Sequence, residues 1–181
     1  MFARKERVFQ VSGPHGGGGI TPGASPPVAS GLALVGFVGL CLLVGAADGT
    51  LTASAVHGWY LSLIRPPGTP PNWLFGPVWG VLYALIGIAG WLAWRRAGAG
   101  PALRLWGWQL ALNAAWTPAF FGLHSLGLAL AVIAALVALI GLTIRAFARI
   151  DRRAAWIMVP YLLWTGYALY LNIGFFWLNP T

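Results

Sequence analysis

Acidic residues are almost missing: Glu6, Asp48 and Asp151 stand against eleven lysines and arginines in 181 residues. Cysteine is scarcer still. Cys41 is alone, which excludes an intrachain disulfide and a thiolate-held metal cluster. Charged residues make up 8% of the chain and hydrophobic ones 59%, with a mean hydropathy of +0.75. So little polar surface could not cover the core of a soluble domain of this length. An ordinary cytosolic enzyme is thereby excluded, and a polytopic membrane protein is expected. The same shortage limits chemistry. Glu6 lies in the N-terminal tail, Asp48 at the end of the first apolar run and Asp151 in a loop, so no carboxylate pair and no Ser-His-Asp set can be assembled. With no acid or arginine expected inside a span, an ion-coupled pump is disfavoured. The run of glycines at 16–19 is not followed by the Lys-Ser/Thr pair of a nucleotide-binding loop. An isoelectric point near 10.9 raises nucleic acid as a partner, but the basic residues are too sparse and too interrupted by apolar runs to form a phosphate-binding groove.

What the chain does have is long uncharged runs, at 8–47, 66–94, 105–144 and 154–181. The third would make about 60 Å of helix, enough for two crossings, with a turn at Gly122-Leu123-His124-Ser125. Five transmembrane helices follow, at about 29–50, 72–94, 103–121, 125–147 and 154–177. The fold class expected is an all-α integral membrane bundle. A β-barrel is excluded because the runs do not alternate. Five spans put Arg4, Lys5, Arg7, Arg95, Arg96, Arg104, Arg145, Arg149, Arg152 and Arg153 on one side and Arg65 alone on the other. That asymmetry predicts a cytoplasmic N-terminus, with the C-terminus and the first loop on the opposite side. Residues 1–27, rich in glycine and proline, are expected to be a disordered tail rather than a cleaved signal peptide, and residues 28–181 the membrane domain. No internal repeat of the inverted-transporter kind is visible.

The connection from Leu51 to Pro71 is the one long loop between spans. It holds a possible short helix around 57–63, then Arg65-Pro66-Pro67-Gly68-Thr69-Pro70-Pro71, whose prolines impose a stiff extended path. Two readings are open: a lid over the mouth of the bundle, or a plain connector. Polar groups inside the spans share faces. Gln109, Asn113 and Trp116 recur at helical spacing, as do Trp164, Ala168 and Asn172, and Trp79 with Tyr83. The amides could be interhelical glue. Alternatively, wide indole faces with a few amides suit a flat, largely apolar ligand with polar edges. Trp73, Trp91, Trp94, Trp106, Trp108, Trp156 and Trp177 sit near span ends and fit interface anchors. His57 and His124 fall on the loop side, where either a haem-ligating or a capping role is open.

The residues resemble a known family. Trp59-Tyr60, Arg65-Pro66, Pro70-Pro71-Asn72-Trp73 and 75–83 (FGPVWGVLY) are similar to the first-loop and second-helix signature of the translocator protein family, the TspO/MBR or tryptophan-rich sensory group. Residues 109–122 (QLALNAAWTPAFFG) resemble its third-helix signature, and Pro160-Tyr161-Leu162-Leu163-Trp164 with Ala168 and Leu171-Asn172 its fifth. The resemblance covers about residues 30–178. It implies a five-helix bundle, often a homodimer in the lipid bilayer, here in a bacterial cell membrane. It also implies a pocket for porphyrins such as protoporphyrin IX or haem and for benzodiazepine-type drugs. No cofactor is implied. The implied ligand-binding residues are Tyr60, Trp79, Tyr83, Asn113, Trp116, Phe120, Trp164, Ala168 and Asn172. Function is expected to be sensing, buffering or moving a tetrapyrrole in oxygen, light or stress regulation. Alternatives are light-dependent porphyrin breakdown with Trp79 and Trp164 as the catalytic pair, and a structural partnership with other membrane proteins. There are departures. Pro67-Gly68-Thr69 stands where many members carry a loop tryptophan, and Arg65 where lysine is usual. The end of the chain lacks the basic residue of a sterol-associated pattern, so tight sterol binding is not expected.

Overall fold

The helix-forming runs are long because little interrupts them, and they stop where glycine, proline or a capping side chain intervenes. A computed structural model describes residues 27–55 and 58–180. Its elements are α1 (Pro27–Ala55), α2 (Trp59–Ser62), a 3-10 turn (Asn72–Leu74), α3 (Phe75–Ala97), α4 (Pro101–Thr117), a π turn (Pro118–Gly122), α5 (Leu126–Ala148), α6 (Arg152–Ile157) and α7 (Val159–Leu178). No strand occurs among the described residues. The expected tail lies outside them apart from Pro27, which opens α1, and so does His57.

Local chemistry explains the boundaries. α3 closes on Gly98, whose φ of 64° is a left-handed conformation that suits a residue without Cβ, and α4 restarts at Pro101 in the first turn. Pro118 follows Thr117, and the backbone widens into a π turn closed by the Leu123 amide donating to the Pro118 carbonyl at 2.8 Å. The third predicted span, 103–121, therefore ends as α-helix at Thr117. The Ser125 hydroxyl caps α5 by accepting from the Leu128 amide at 3.4 Å, and Asp151 caps α6 by accepting from the Arg153 amide at 2.9 Å. The span predicted as one helix at 154–177 is divided at Met158, two residues before Pro160, whose missing amide proton cannot continue the ladder. α1 extends to Ala55, five residues beyond its predicted end.

Four helical stretches are long and apolar enough to cross a membrane: Ala29–Ala53, Asn72–Ala97, Leu126–Ala148 and Arg152–Leu178. α4, with 17 residues carrying Arg104, Gln109 and Asn113, is not among them. The described residues form an all-helical membrane bundle. α1 packs on α3, α4 on α5, and α5 on both α6 and α7. Small residues set the spacing. A Cβ on Gly87 would lie 2.6 Å from the Val38 Cα, and one on Gly90 would lie 2.6 Å from the Trp106 ring. The core divides in two. One cluster joins Cys41, Tyr83, Ile86, Trp106, Leu110, Ile140, Phe147 and Tyr161. The other, near the long loop, joins Tyr60, Phe120, Leu126, Ala129, Leu171 and Phe175.

Two of the expected interface tryptophans do other work. Trp106 is buried, its indole donating to the Ile86 carbonyl at 2.9 Å, and Trp91 donates to the Ser30 carbonyl at 2.9 Å. Both bind helix to helix. Trp73, Trp108, Trp156 and Trp177 are about two-thirds exposed or more, as an anchor at the membrane surface requires.

Candidate ligand-binding site

At the loop end, the positions where α1 and α3 face each other are too small to fill the space between them. Ala46 and Gly49 on α1 and Gly76 and Gly80 on α3 border a cavity of about 320 Å³, near the lower end of the roughly 300–1,000 Å³ common for small-molecule sites, while Gly45 makes room for the Tyr83 ring. A Cβ at Gly49, Gly76 or Gly80 would meet nothing within 4 Å. The remaining wall is aromatic and comes from α2, α3, the end of α4, the π turn and α7.

All nine residues named for the pocket, Tyr60, Trp79, Tyr83, Asn113, Trp116, Phe120, Trp164, Ala168 and Asn172, border this cavity. Most are held by neighbours. The Trp116 indole donates to Asn172 Oδ1 at 3.2 Å, and the Asn172 amide donates to the Ala168 carbonyl at 2.8 Å. Trp116 stacks on Phe120 at 5.3 Å, Trp79 lies 5.6 Å from Tyr83, and Phe75 meets Trp164 edge-on at 6.3 Å. Such contacts fix ring planes before any ligand arrives. Tyr60, on α2, has the Arg65 guanidinium 5.0 Å above its ring. Burial pushes its phenol up, against an opposing pull from Arg65.

Gln109 belongs to the same helical face as Asn113 but not to the cavity. It is fully buried, and its amide nitrogen and oxygen make no hydrogen bond among the described residues. His124 does not border the cavity either. It adopts a φ of 52° and stacks on Trp59 at 4.3 Å, a loop-fixing role.

Several functional contacts were not anticipated. The loop from Ile64 to Pro71 is tied to α7 along its length. The Ile64 amide donates to Asn179 Oδ1 at 2.8 Å, and Asn179 Nδ2 donates to the Ile64 carbonyl at 3.1 Å. Tyr170 donates to the Pro67 carbonyl at 3.2 Å, Tyr167 donates to that of Gly68, and Pro66 fits where a side chain on Gly174 would otherwise be. Pro70 and Asn72 border the cavity, so the stiff segment and the turn after it form part of its wall. No local pattern could reveal these pairs, which lie about a hundred residues apart. Asp48 corrects an expectation: it lies inside the apolar stretch Ala29–Ala53, borders the cavity, and accepts from the Tyr83 hydroxyl at 2.7 Å. An acid is therefore present within a membrane helix. Because α1 is apolar all round, its sequence gives no sign of which face turns inward.

The model of the TspO/MBR family matches residues 37–178, a range that contains every one of these wall positions. The chain belongs to the TspO/MBR family. It is 39% identical over 155 residues to the tryptophan-rich protein TspO of Chlorobaculum tepidum, covering 82% of this chain and 97% of that protein. It is 36% identical over 143 residues to the translocator protein of Bos taurus, covering 76% and 85%. With the tryptophan-rich sensory protein of Cereibacter sphaeroides it shares 38% identity over 121 residues, 67% of this chain and 77% of that one. The family match leaves out the first 36 residues, so the membrane bundle is the part shared with these TspO/MBR proteins.

Proposed function

We propose that the protein binds a flat tetrapyrrole of the protoporphyrin IX or haem type in this cavity and uses occupancy to sense, buffer or move such ligands. The observation that carries the reading is the convergence of nine sequence-selected positions on one aromatic-walled cavity beneath a tethered loop. The name tryptophan-rich sensory protein, borne by the Cereibacter relative, supports a sensing role. α4 is taken as a fifth crossing, its amides facing the bundle interior and its helical path continued by the π turn. The same reading has the N-terminus in the cytoplasm of a bacterial cell, and it is supported by Arg95, Arg96, Arg104, Arg145, Arg149, Arg152 and Arg153 at the α3–α4 and α5–α6 junctions, where Arg96 and Asp151 pair at 3.4 Å. A homodimer belongs to the same reading and rests on the family resemblance.

A titration in the dark tests it. Protoporphyrin IX added to the detergent-solubilised protein should quench tryptophan fluorescence saturably, and Trp79→Phe and Trp164→Phe should each weaken binding several-fold. Linear, unsaturable quenching would remove the tetrapyrrole reading. A second reading, light-driven breakdown of the porphyrin, is favoured by one fact: Trp79 and Trp164, from different helices, border the same cavity, where both could face one macrocycle. Illuminating the same samples separates the two. Binding alone returns the porphyrin intact, whereas breakdown removes its absorbance band in the native protein and spares it in both phenylalanine variants.

A further inference from the structure

Asp48 is the only charged side chain among the described residues that border the cavity. It terminates a polar chain that joins four helices, α1, α3, α4 and α7: Tyr83 Oη lies 2.7 Å from Asp48 Oδ2 and 2.6 Å from Asn113 Oδ1, and Asn113 Nδ2 lies 2.6 Å from Tyr161 Oη. A phenol has one proton and cannot donate to both neighbours. The carboxylate is the stronger acceptor and takes it. The Asn113 amide then satisfies the rest by presenting its NH2 to Tyr83 and its oxygen to the Tyr161 hydroxyl, an exchange of two atoms of nearly equal size. Every donor in the chain is thus directed toward Asp48. Thr117 borders the same cavity. No lysine, arginine or histidine pairs with it among the described residues, where the one ion pair joins Arg96 to Asp151. A carboxyl group held inside a membrane helix, fixed by the neutral Tyr83 hydroxyl and turned to an aromatic cavity, lacks only a cation, and aromatic faces favour a cation as well.

We propose that Asp48 makes this cavity selective for flat aromatic ligands carrying a protonated nitrogen, with the ammonium seated against the carboxylate and the ring system between Trp79, Trp116 and Trp164. This deepens the tetrapyrrole reading, on whose cavity it rests: a porphyrin bearing amino groups fits better than one bearing only carboxylates, whose acidic edge must point away from Asp48. The Arg65 guanidinium, above the ring of the cavity-wall residue Tyr60, offers such an edge a basic group.

The test is quenching of tryptophan fluorescence in the full-length protein and in Asp48→Asn, Asp48→Glu and Tyr83→Phe, using protoporphyrin IX, a porphyrin with primary ammonium substituents, and proflavine as a small cationic three-ring probe. Asp48→Asn should weaken both cationic probes tenfold or more and leave protoporphyrin IX unchanged or tighter. Asp48→Glu should retain the preference for cations, and so should Tyr83→Phe, which loses the hydrogen bond but not the charge. The proposal is overturned if Asp48→Asn weakens all three probes alike, or if it changes the cationic probes by less than threefold. It is also overturned if the native protein binds protoporphyrin IX but neither cation. Should proflavine bind in an Asp48-dependent way while neither porphyrin binds, the carboxylate stands and the tetrapyrrole reading falls. Should nothing bind, both fall.

Discussion

The closed end of the bundle and the cavity at its other end use the same residue, glycine, differently. Toward the arginine-rich end, Gly87 lets α3 approach the α1 backbone and Gly90 seats the Trp106 ring, so the small residue is consumed by close packing. Toward the loop end, Gly45 and Gly174 are still used for close packing, against Tyr83 and Pro66, but Gly49, Gly76 and Gly80 face open space, and their missing side chains become cavity volume. Polar groups divide in the same way. At the closed end, tryptophan N–H groups bind backbone carbonyls of neighbouring helices. At the open end, amides and phenols form chains along the cavity wall. Stability and recognition have thus been separated along the axis of the bundle. A glycine in a membrane helix says little until its neighbour is known.

The sharpest way to break the comparison is to place the same side chain at both ends. Gly87→Leu must push its side chain into the Val38 backbone, which cannot yield as a flexible side chain would. It should cost at least the roughly 1–3 kcal/mol of an overpacked core and lower the unfolding temperature in detergent markedly, or prevent folding. Gly80→Leu enters open space. It should leave the unfolding temperature near that of the native protein and abolish saturable porphyrin quenching. Equal destabilisation by both would show that the loop end is as tightly packed as the other.

A tryptophan pair gives a smaller contrast. Trp106→Phe removes the indole donor to the buried Ile86 carbonyl, which should cost about 1–3 kcal/mol without touching ligand affinity. Trp164→Phe, half-buried on the cavity wall, should do the reverse. Thermal unfolding and the dark titration, run on both variants, read the two quantities separately.

Sequence reasoning recovered the open end better than the closed one, for physical reasons. Asn113 with Trp116, and Trp164 with Ala168 and Asn172, share faces because helical spacing is local, so any inward-facing helix brings them together. Phase around the helix is not local. Trp106 and Trp108 lie two residues apart in one apolar run, yet the first is 5% exposed and the second 67%. Only the position of α3 decides which is the core residue. Asp48 was legible as an acid but not as a cavity residue, because α1 is apolar on every face and its sequence gives no direction. The ties of Tyr167, Tyr170 and Asn179 to the loop depend on the chain's path between them, which spacing does not encode.

The smallest expected effect concerns the loop, and it sharpens what the open end is for. Asn179 both donates to and accepts from the Ile64 backbone, and it does so at an exposed site where water can replace either bond. Asn179→Ala should therefore cost only about 1 kcal/mol or less of stability. If the loop covers the ligand, that small change has a disproportionate kinetic consequence. Loosening the cover should speed ligand release several-fold while the association rate changes little, as most interface changes act on dissociation. Stopped-flow displacement of bound porphyrin measures this directly. An unchanged release rate would reduce the proline-rich segment to a connector, and the site would then be closed by its aromatic wall alone.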